Sequence, residues 1–357
     1  MASEKRSFVI LTPGFASDEN DINCIPAHQS FVKEIKENDP RLEIIIIAFQ
    51  YPHFTKEYNW NGCRVIALGG RGRSKFFRLI LWYKALKKLK TIAKGSSIKG
   101  LLSFWCGECA FVGKRFSRKN NIPHKIWILG QDAKTENKYV KRIIPAPSEL
   151  IAISDLSQKT FHINHGIEPQ FVISLGIEYI EYSSQATARN IDLLGVGNLI
   201  PLKQYHLFIE IVLELKQIFP NIKTKICGKG PEEERIKALI EKNGLTSNIE
   251  LMGEVPHDEV LKLMRSSRVL LHPSSFEGFG VVCIEALSAG AKVISFVQPM
   301  TQQIENWHIA KDKNDMIAIG RELLSNKTET KSVTPFLSRD SAKRVMKLFE
   351  FNERKKC

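Results

Sequence analysis

A chain of 357 residues, 43% hydrophobic and 25% charged, has the balance of a globular protein and length enough for two domains. No stretch approaches the roughly 18 apolar residues of a membrane-spanning helix, and seven cysteines, scattered singly apart from Cys106 and Cys109, do not make a secreted disulfide framework; a reducing cytoplasm is expected. The formal net charge of +14 points to an anionic partner, whether nucleic acid, a membrane surface or a phosphorylated substrate.

In chain order, "MASEKRSFVILTPGFA" sets Lys5 and Arg6 ahead of an apolar run as a signal peptide does, but Phe8 to Leu11 is too short for one. A buried first strand entering a glycine turn is predicted instead. Further buried strands follow in "LEIIIIAFQYP", "GCRVIALGG", "LLSFWCGE", "HKIWILGQD" and "LIAISD", and then in "NIDLLGVGNLI", "IKTKICGKGP", "IELMGEV", "RVLLHPSS" and "AKVISF". Continuous apolar runs with helical patterns between them predict parallel sheets covered on both faces. The series pauses at the polar stretch 178–190, which is where a domain boundary is predicted. Two doubly wound Rossmann-like sheets, their strand ends facing a central cleft, are the expected fold. A last amphipathic helix with a basic end follows in "FLSRDSAKRVMKLFEFNERKK".

"FWCGECAF" has the W-C-G-x-C core of a thiol catalyst, but such a catalyst wants a compact domain with a cis-proline loop downstream, a context that the sequence does not supply, and a zinc site wants a second cysteine pair, which is missing. It reads as an ordinary strand-to-helix turn. Between Tyr58 and Gly107 there is no acidic residue, while residues 63–100 hold eleven Lys and Arg. Phe76, Phe77, Ile80, Leu81 and Trp82 are interleaved there with Arg78, Lys84, Lys87 and Lys88. Two readings stay open: a helix over residues 71–99 that binds an anionic membrane surface, and a core-packed helix with a solvated basic face. No nucleic-acid-binding module is recognisable, so nucleic acid is not expected as a partner.

The stretch richest in chemistry is "LLHPSSFEGFGVVCIEALSAGAKVISF", residues 270–296. Pro273 ends a strand, Gly278 and Gly280 allow a tight turn that exposes N–H groups, and Val281 to Ala289 form a helix stopped by Gly290. A glycine turn at a helix N-terminus is a ready anion site. Glu277 precedes it, and Glu285 lies roughly 7 Å further along the helix axis at about 1.5 Å per residue. This spacing suits one carboxylate beside a sugar, amides on a diphosphate and a second carboxylate on a ribose diol.

Pro273, Ser274, Glu277, Gly278, Phe279, Gly280 and Glu285 match in register the donor signature of the retaining family-4 glycosyltransferases, the glycosyl transferases group 1 of the GT-B fold, which the chain resembles. The resemblance implies that Glu277 contacts the transferred sugar and Glu285 the ribose hydroxyls, with Val281 in the same donor turn. It places Lys203 on the diphosphate, Asn198 where an arginine is usual, Gly228 in a second glycine turn, and backbone near Val255 at the base. Gly14 would let the first loop approach the donor phosphates. Lys203 and Glu277 are the expected catalytic residues.

Two positions depart from the family pattern. Asn198 lacks a charge and a bidentate fork. Leu129 stands where a histidine is common, which leaves Glu108 or Asp132 as candidates for a polar role at the acceptor. His257 and His272 are expected to be surface and packing residues, and Asp18, Glu19 and Asp21 loop and cap residues. The expected organisation is an acceptor domain over 1–185, a donor domain over 186–335, and a helix over 336–357 crossing back. The function so implied is transfer of a sugar from a UDP- or GDP-sugar to a glycan or lipid-linked acceptor, with no metal or other cofactor, by a cytoplasmic protein that is peripheral to the membrane. A catalytically weak GT-B-like binding protein is the alternative that Asn198 and Leu129 leave open.

Overall fold

The computed structural model describes residues 5–22, 24–72, 75–179, 188–326 and 331–350. It divides into two compact α/β units, Met1–Glu178 with Phe336–Cys357, and Tyr179–Pro335. The sequence boundary at 185/186 lies outside the described residues, as do residues 351–357 of the basic C-terminal end.

The first unit begins with β1 (Arg6–Gly14), α1 (Pro26–Asn38), β2 (Glu43–Tyr51), β3 (Thr55–Trp60) and β4 (Cys63–Leu68). Next come α2 (Lys75–Gly95), β5 (Ser97–Phe104), α3 (Glu108–Asn120) and β6 (His124–Ile128). A short α4 (Val140–Ile143), β7 (Leu150–Ala152), α5 (Asp155–His165) and β8 (Phe171–Val172) complete the run. Among the described residues the strands lie in the order β3-β4-β2-β1-β5-β6-β7-β8, all parallel except the antiparallel β3–β4 pair. Phe8 to Leu11 and Ile44 to Phe49 are fully buried, as strands covered on both faces must be.

Strand β3 is absent from the sequence reading. Its residues "TKEYNW" are polar because it is an edge strand with mostly exposed side chains. The signal lay in the turn: Asn61 and Gly62 both take positive φ, 45° and 74°, as the primed hairpin turn between β3 and β4 requires.

The second unit contains β9 (Ile191–Val196), α6 (Tyr205–Ile218), β10 (Thr224–Cys227), α7 (Glu233–Lys242), β11 (Ile249–Gly253) and α8 (His257–Arg265). It continues through β12 (Ser267–His272), α9 (Val281–Ser288), β13 (Lys292–Ser295), β14 (Trp307–Ile309) and α10 (Lys313–Ser325). Its sheet is parallel, in the order β11-β10-β9-β12-β13-β14. The order reverses direction at β9, so the loops after β9 and β12 leave neighbouring strands at their carboxyl ends, where ligands of such sheets bind.

The last helix, α11 (Ser338–Glu350), lies on the first unit against α1. Ser30 donates to Ser338 Oγ at 2.9 Å, and Phe349 meets Phe8 edge-on with ring centroids 4.9 Å apart. A Cβ on Gly100 would stand 2.3 Å from the Phe349 ring, so a glycine is needed where this helix crosses β5.

Candidate active site

The loop after β12 is fixed before it reaches the glutamates. Ser275 N and the hydroxyls of Ser274 and Ser275 all donate to the carbonyl of Leu202, at 2.9, 3.2 and 3.2 Å. Leu202 belongs to a single 3-10 turn, Pro201–Lys203, that follows β9. The two loops are thus stapled side by side, and Lys203 reaches across. Lys203 Nζ donates to Glu277 Oε1 at 2.6 Å.

The same oxygen accepts from His272 Nε2 at 2.8 Å. This corrects the reading of His272 as packing alone: it closes β12, is buried, and points its ring at Glu277. Glu277 is thereby held between two nitrogen donors with little water around it. Burial alone would push its carboxyl up, but the His272 hydrogen bond and charge and the Lys203 charge outweigh that and hold it at about 2, against an ordinary 4.5. Glu277 therefore stays an anion at any physiological pH.

A stability consequence follows from the sign of that shift. A carboxyl whose pKa is lower in the folded state stabilises the fold above its unfolded value and loses that contribution as pH falls towards the folded one. The contribution is at most on the order of 3 to 4 kcal/mol, at about 1.4 kcal/mol for each tenfold change in proton affinity. Wild type is expected to lose melting temperature faster than Glu277→Gln as pH falls from about 4.5 towards about 2. Parallel melting curves for wild type and variant over that window would refute this.

Glu277 is followed by buried Gly278, Phe279 and Gly280. Gly280 takes φ +78° and caps α9 without a side-chain acceptor; Cys283 N donates back to the Gly280 carbonyl at 2.9 Å, which leaves the N–H groups of Val281 and Val282 for a ligand. Glu285 follows on α9, largely buried, and His257 Nε2 donates to its Oε1 at 2.8 Å. His257 opens α8 and is still 29% exposed, so it is a surface residue as expected, but one bonded to Glu285. Each glutamate of the pair is held by a histidine.

The two glycine turns lie against each other. Gly197 and Gly228 have φ of +142° and +147°, and a Cβ on Gly228 would stand 1.9 Å from the Gly197 carbonyl oxygen. Leu199 N donates to the Lys229 carbonyl at 2.9 Å, which ties the Asn198 loop to the Gly228 turn. Asn198 itself is exposed, and Val255, between β11 and α8, is half-buried among the apolar residues under α9.

The remaining sequence candidates belong to the first unit. Gly14 ends β1, buried beside Tyr51. Glu108 opens α3 with both oxygens engaged: Gln50 Nε2 donates to one, and Trp82 Nε1 to the other at 3.1 Å. Asp132 accepts from the backbone N–H groups of Cys106, Leu129 and Gly130 at 2.8, 3.1 and 2.8 Å. Burial raises its carboxyl to about 6 despite those donors. Both side chains tie elements together in the form described. Cys106 and Cys109 are buried, and burial pushes both thiols up, the reverse of what a thiolate catalyst needs.

Comparison with known proteins agrees with this geometry. A family model described as "Glycosyl transferases group 1" matches residues 181–330. A phosphatidylinositol N-acetylglucosaminyltransferase subunit from Arabidopsis thaliana is 24% identical over 44% of this chain and 37% of its own. The gpi3 subunit of the same transferase from Schizosaccharomyces pombe is 25% identical over 55% of this chain and 44% of its own. The chain thus spans less than half the length of these two relatives. An uncharacterized glycosyltransferase of Methanocaldococcus jannaschii is 25% identical over 75% of this chain and 73% of its own. Among solved structures, Anabaena HepE in complex with UDP and glucose aligns over 97% of this chain and 98% of its own, with a TM-score of 0.65 and 16% identity.

Proposed function

Residues 181–330 make the chain a member of the glycosyl transferases group 1 family, with the GT-B fold, and from that premise we propose that it is an enzyme. It moves a sugar from a nucleotide-sugar to a glycan or lipid-linked acceptor, with retention of configuration and without a metal. The observation that carries this reading is the Glu277 carboxylate, held between Lys203 and His272 just before an uncapped helix N-terminus.

In the proposed reaction the bond from the sugar's anomeric carbon to the diphosphate breaks while the acceptor oxygen bonds on the same face, its hydroxyl proton passing to the leaving diphosphate oxygen. Lys203 and the first N–H groups of α9 offset the charge gathering on the leaving diphosphate, the largest contribution in a preorganised site. Glu277 orients the sugar, and Glu285 takes the ribose hydroxyls, exchanging or sharing its bond to His257. The UDP that accompanies HepE favours a UDP-sugar over a GDP-sugar as donor. The phosphatidylinositol-directed relatives favour a lipid-linked acceptor, met by a protein peripheral to the cytoplasmic face of a membrane.

The test is a melting-temperature panel of UDP, GDP, ADP, CMP and their common sugar conjugates against wild type and Glu285→Ala. A ligand that binds the folded state alone raises the melting temperature by mass action. UDP or its sugars are expected to raise that of wild type and to lose most of the effect in the variant. No shift from any nucleotide at millimolar concentration would remove the transferase reading.

A further inference from the structure

Helix α2 has a core-packed face and a solvated basic face, and also an exposed apolar stretch. Leu81, Ala85, Leu89 and Ile92, spaced by four, four and three, turn one face to the sheet and are buried. The opposite face is apolar where the helix begins: Phe76 is 72% exposed, Leu79 58% and Tyr83 68%, with Phe77 and Ile80 also exposed. The same face turns basic further along, with Lys84, Lys87, Lys90 and Lys94 exposed. Nothing acidic lies between Tyr58 and Gly107, and Glu57 is already engaged by Arg64 and Lys88. The apolar end borders a groove lined by Phe54, Leu68 and Phe77, with Arg71 and Lys84 at its edge.

We infer that the first two turns of α2 seat in the interfacial layer of an anionic lipid bilayer, with Lys84, Lys87 and Arg71 against the headgroups. This deepens the membrane placement proposed above and rests on it. The charge pattern selects the occupant. Five large apolar side chains on successive turns want hydrocarbon, and the basic residues beside them want a surface of negative charge. A second copy of the chain would bring two lysine rows together on a molecule of net charge +14, and a polyanion such as RNA would leave Leu79 and Ile80 without apolar cover. The helix is no candidate for crossing the bilayer, since among the described residues none is long and apolar enough.

The experiment is sedimentation of the full chain with vesicles of phosphatidylcholine alone and of phosphatidylcholine mixed with phosphatidylglycerol. Binding is expected to the mixed vesicles only. Phe76→Ser with Tyr83→Ser should weaken it about tenfold or more, and Lys84→Glu with Lys87→Glu about fivefold for each lysine lost. All four positions are solvent-facing, so unchanged melting temperatures in both variants are expected. Wild type left in the supernatant, or both variants sedimenting like wild type, would overturn the inference. So would a dimer that Phe76→Ser with Tyr83→Ser dissociates, or single-stranded RNA outcompeting the vesicles. The nucleotide panel on the same preparation separates the two ideas: nucleotide shifts without vesicle binding sink the surface alone, and vesicle binding without shifts sinks the donor reading alone.

Discussion

Glu277→Gln is expected to lose sugar transfer by about 10³-fold while keeping most of the melting shift produced by the nucleotide. Glutamine is nearly the same size and keeps one acceptor oxygen, so packing around buried Phe279 and Cys283 is undisturbed. What it loses is the charge. In the native site one carboxylate oxygen accepts from Lys203 at 2.6 Å and His272 at 2.8 Å, so two nitrogen donors, one of them the Lys203 ammonium, converge on one anion. The amide leaves the Lys203 ammonium without its counter-ion, so Lys203 is expected to turn away from the position proposed for the diphosphate. In the proposed site, nucleotide affinity rests more on Glu285 and the α9 N-terminus, which the change does not touch. The measurement is a single-turnover rate with the sugar nucleotide that raises the melting temperature, beside the nucleotide shift itself. Transfer within tenfold of wild type would remove Glu277 from the proposed mechanism. Loss of both readouts together would make it a residue of the fold, because an intact site should still bind the nucleotide.

The parts of this site legible in the sequence were the local ones. Gly278, Gly280 and the apolar run from Val281 announce a turn and a helix start, because glycine conformation and capping act within a few residues. The spacing of Glu277 and Glu285 is likewise a property of one short segment. The histidines were not legible. His257 meets Glu285 across 28 residues of sequence, and nothing in either segment signals that pairing. His272 stands only five residues before Glu277, but its ring reaches the carboxylate because β12 ends there and the loop folds back over Leu202. Glu108 shows the converse: a polar residue at the opening of α3 marks an acceptor candidate, and the fold adds that its oxygens accept from Gln50 and Trp82. A glutamate in the first turn of a helix has an ordinary reason to be there. In α2 the pattern of basic and aromatic residues was visible, but not which aromatics faced outward. Only the position of the sheet decides that Leu81 goes in and Tyr83 out.

Gly228→Ala is expected to be the most destabilising small substitution in the second unit, by on the order of 4 kcal/mol or more. Two independent effects combine at this position. Its φ of +147° is open almost only to glycine, and an L residue there carries strain on the order of 1–3 kcal/mol. The new Cβ also meets the Gly197 carbonyl oxygen at 1.9 Å and its carbon at 2.8 Å, and both are backbone atoms with no rotamer to escape into. The turn after β10 must then separate from the turn after β9. That separation breaks Leu199 N to Lys229 O, at 2.9 Å, and Glu232 N to Leu199 O, at 3.0 Å. Lys203 hangs from the same turn, so nucleotide binding should fall with stability. Gly244→Ala isolates the conformational part: Gly244 has φ +63° and nothing within 4 Å of an added Cβ, so only the left-handed cost of about 1–2 kcal/mol applies. Urea midpoints for the two variants should differ widely and in this order. If Gly228→Ala unfolds no earlier than Gly244→Ala, the two glycine turns are not in contact, and Lys203 loses the support that aims it at Glu277.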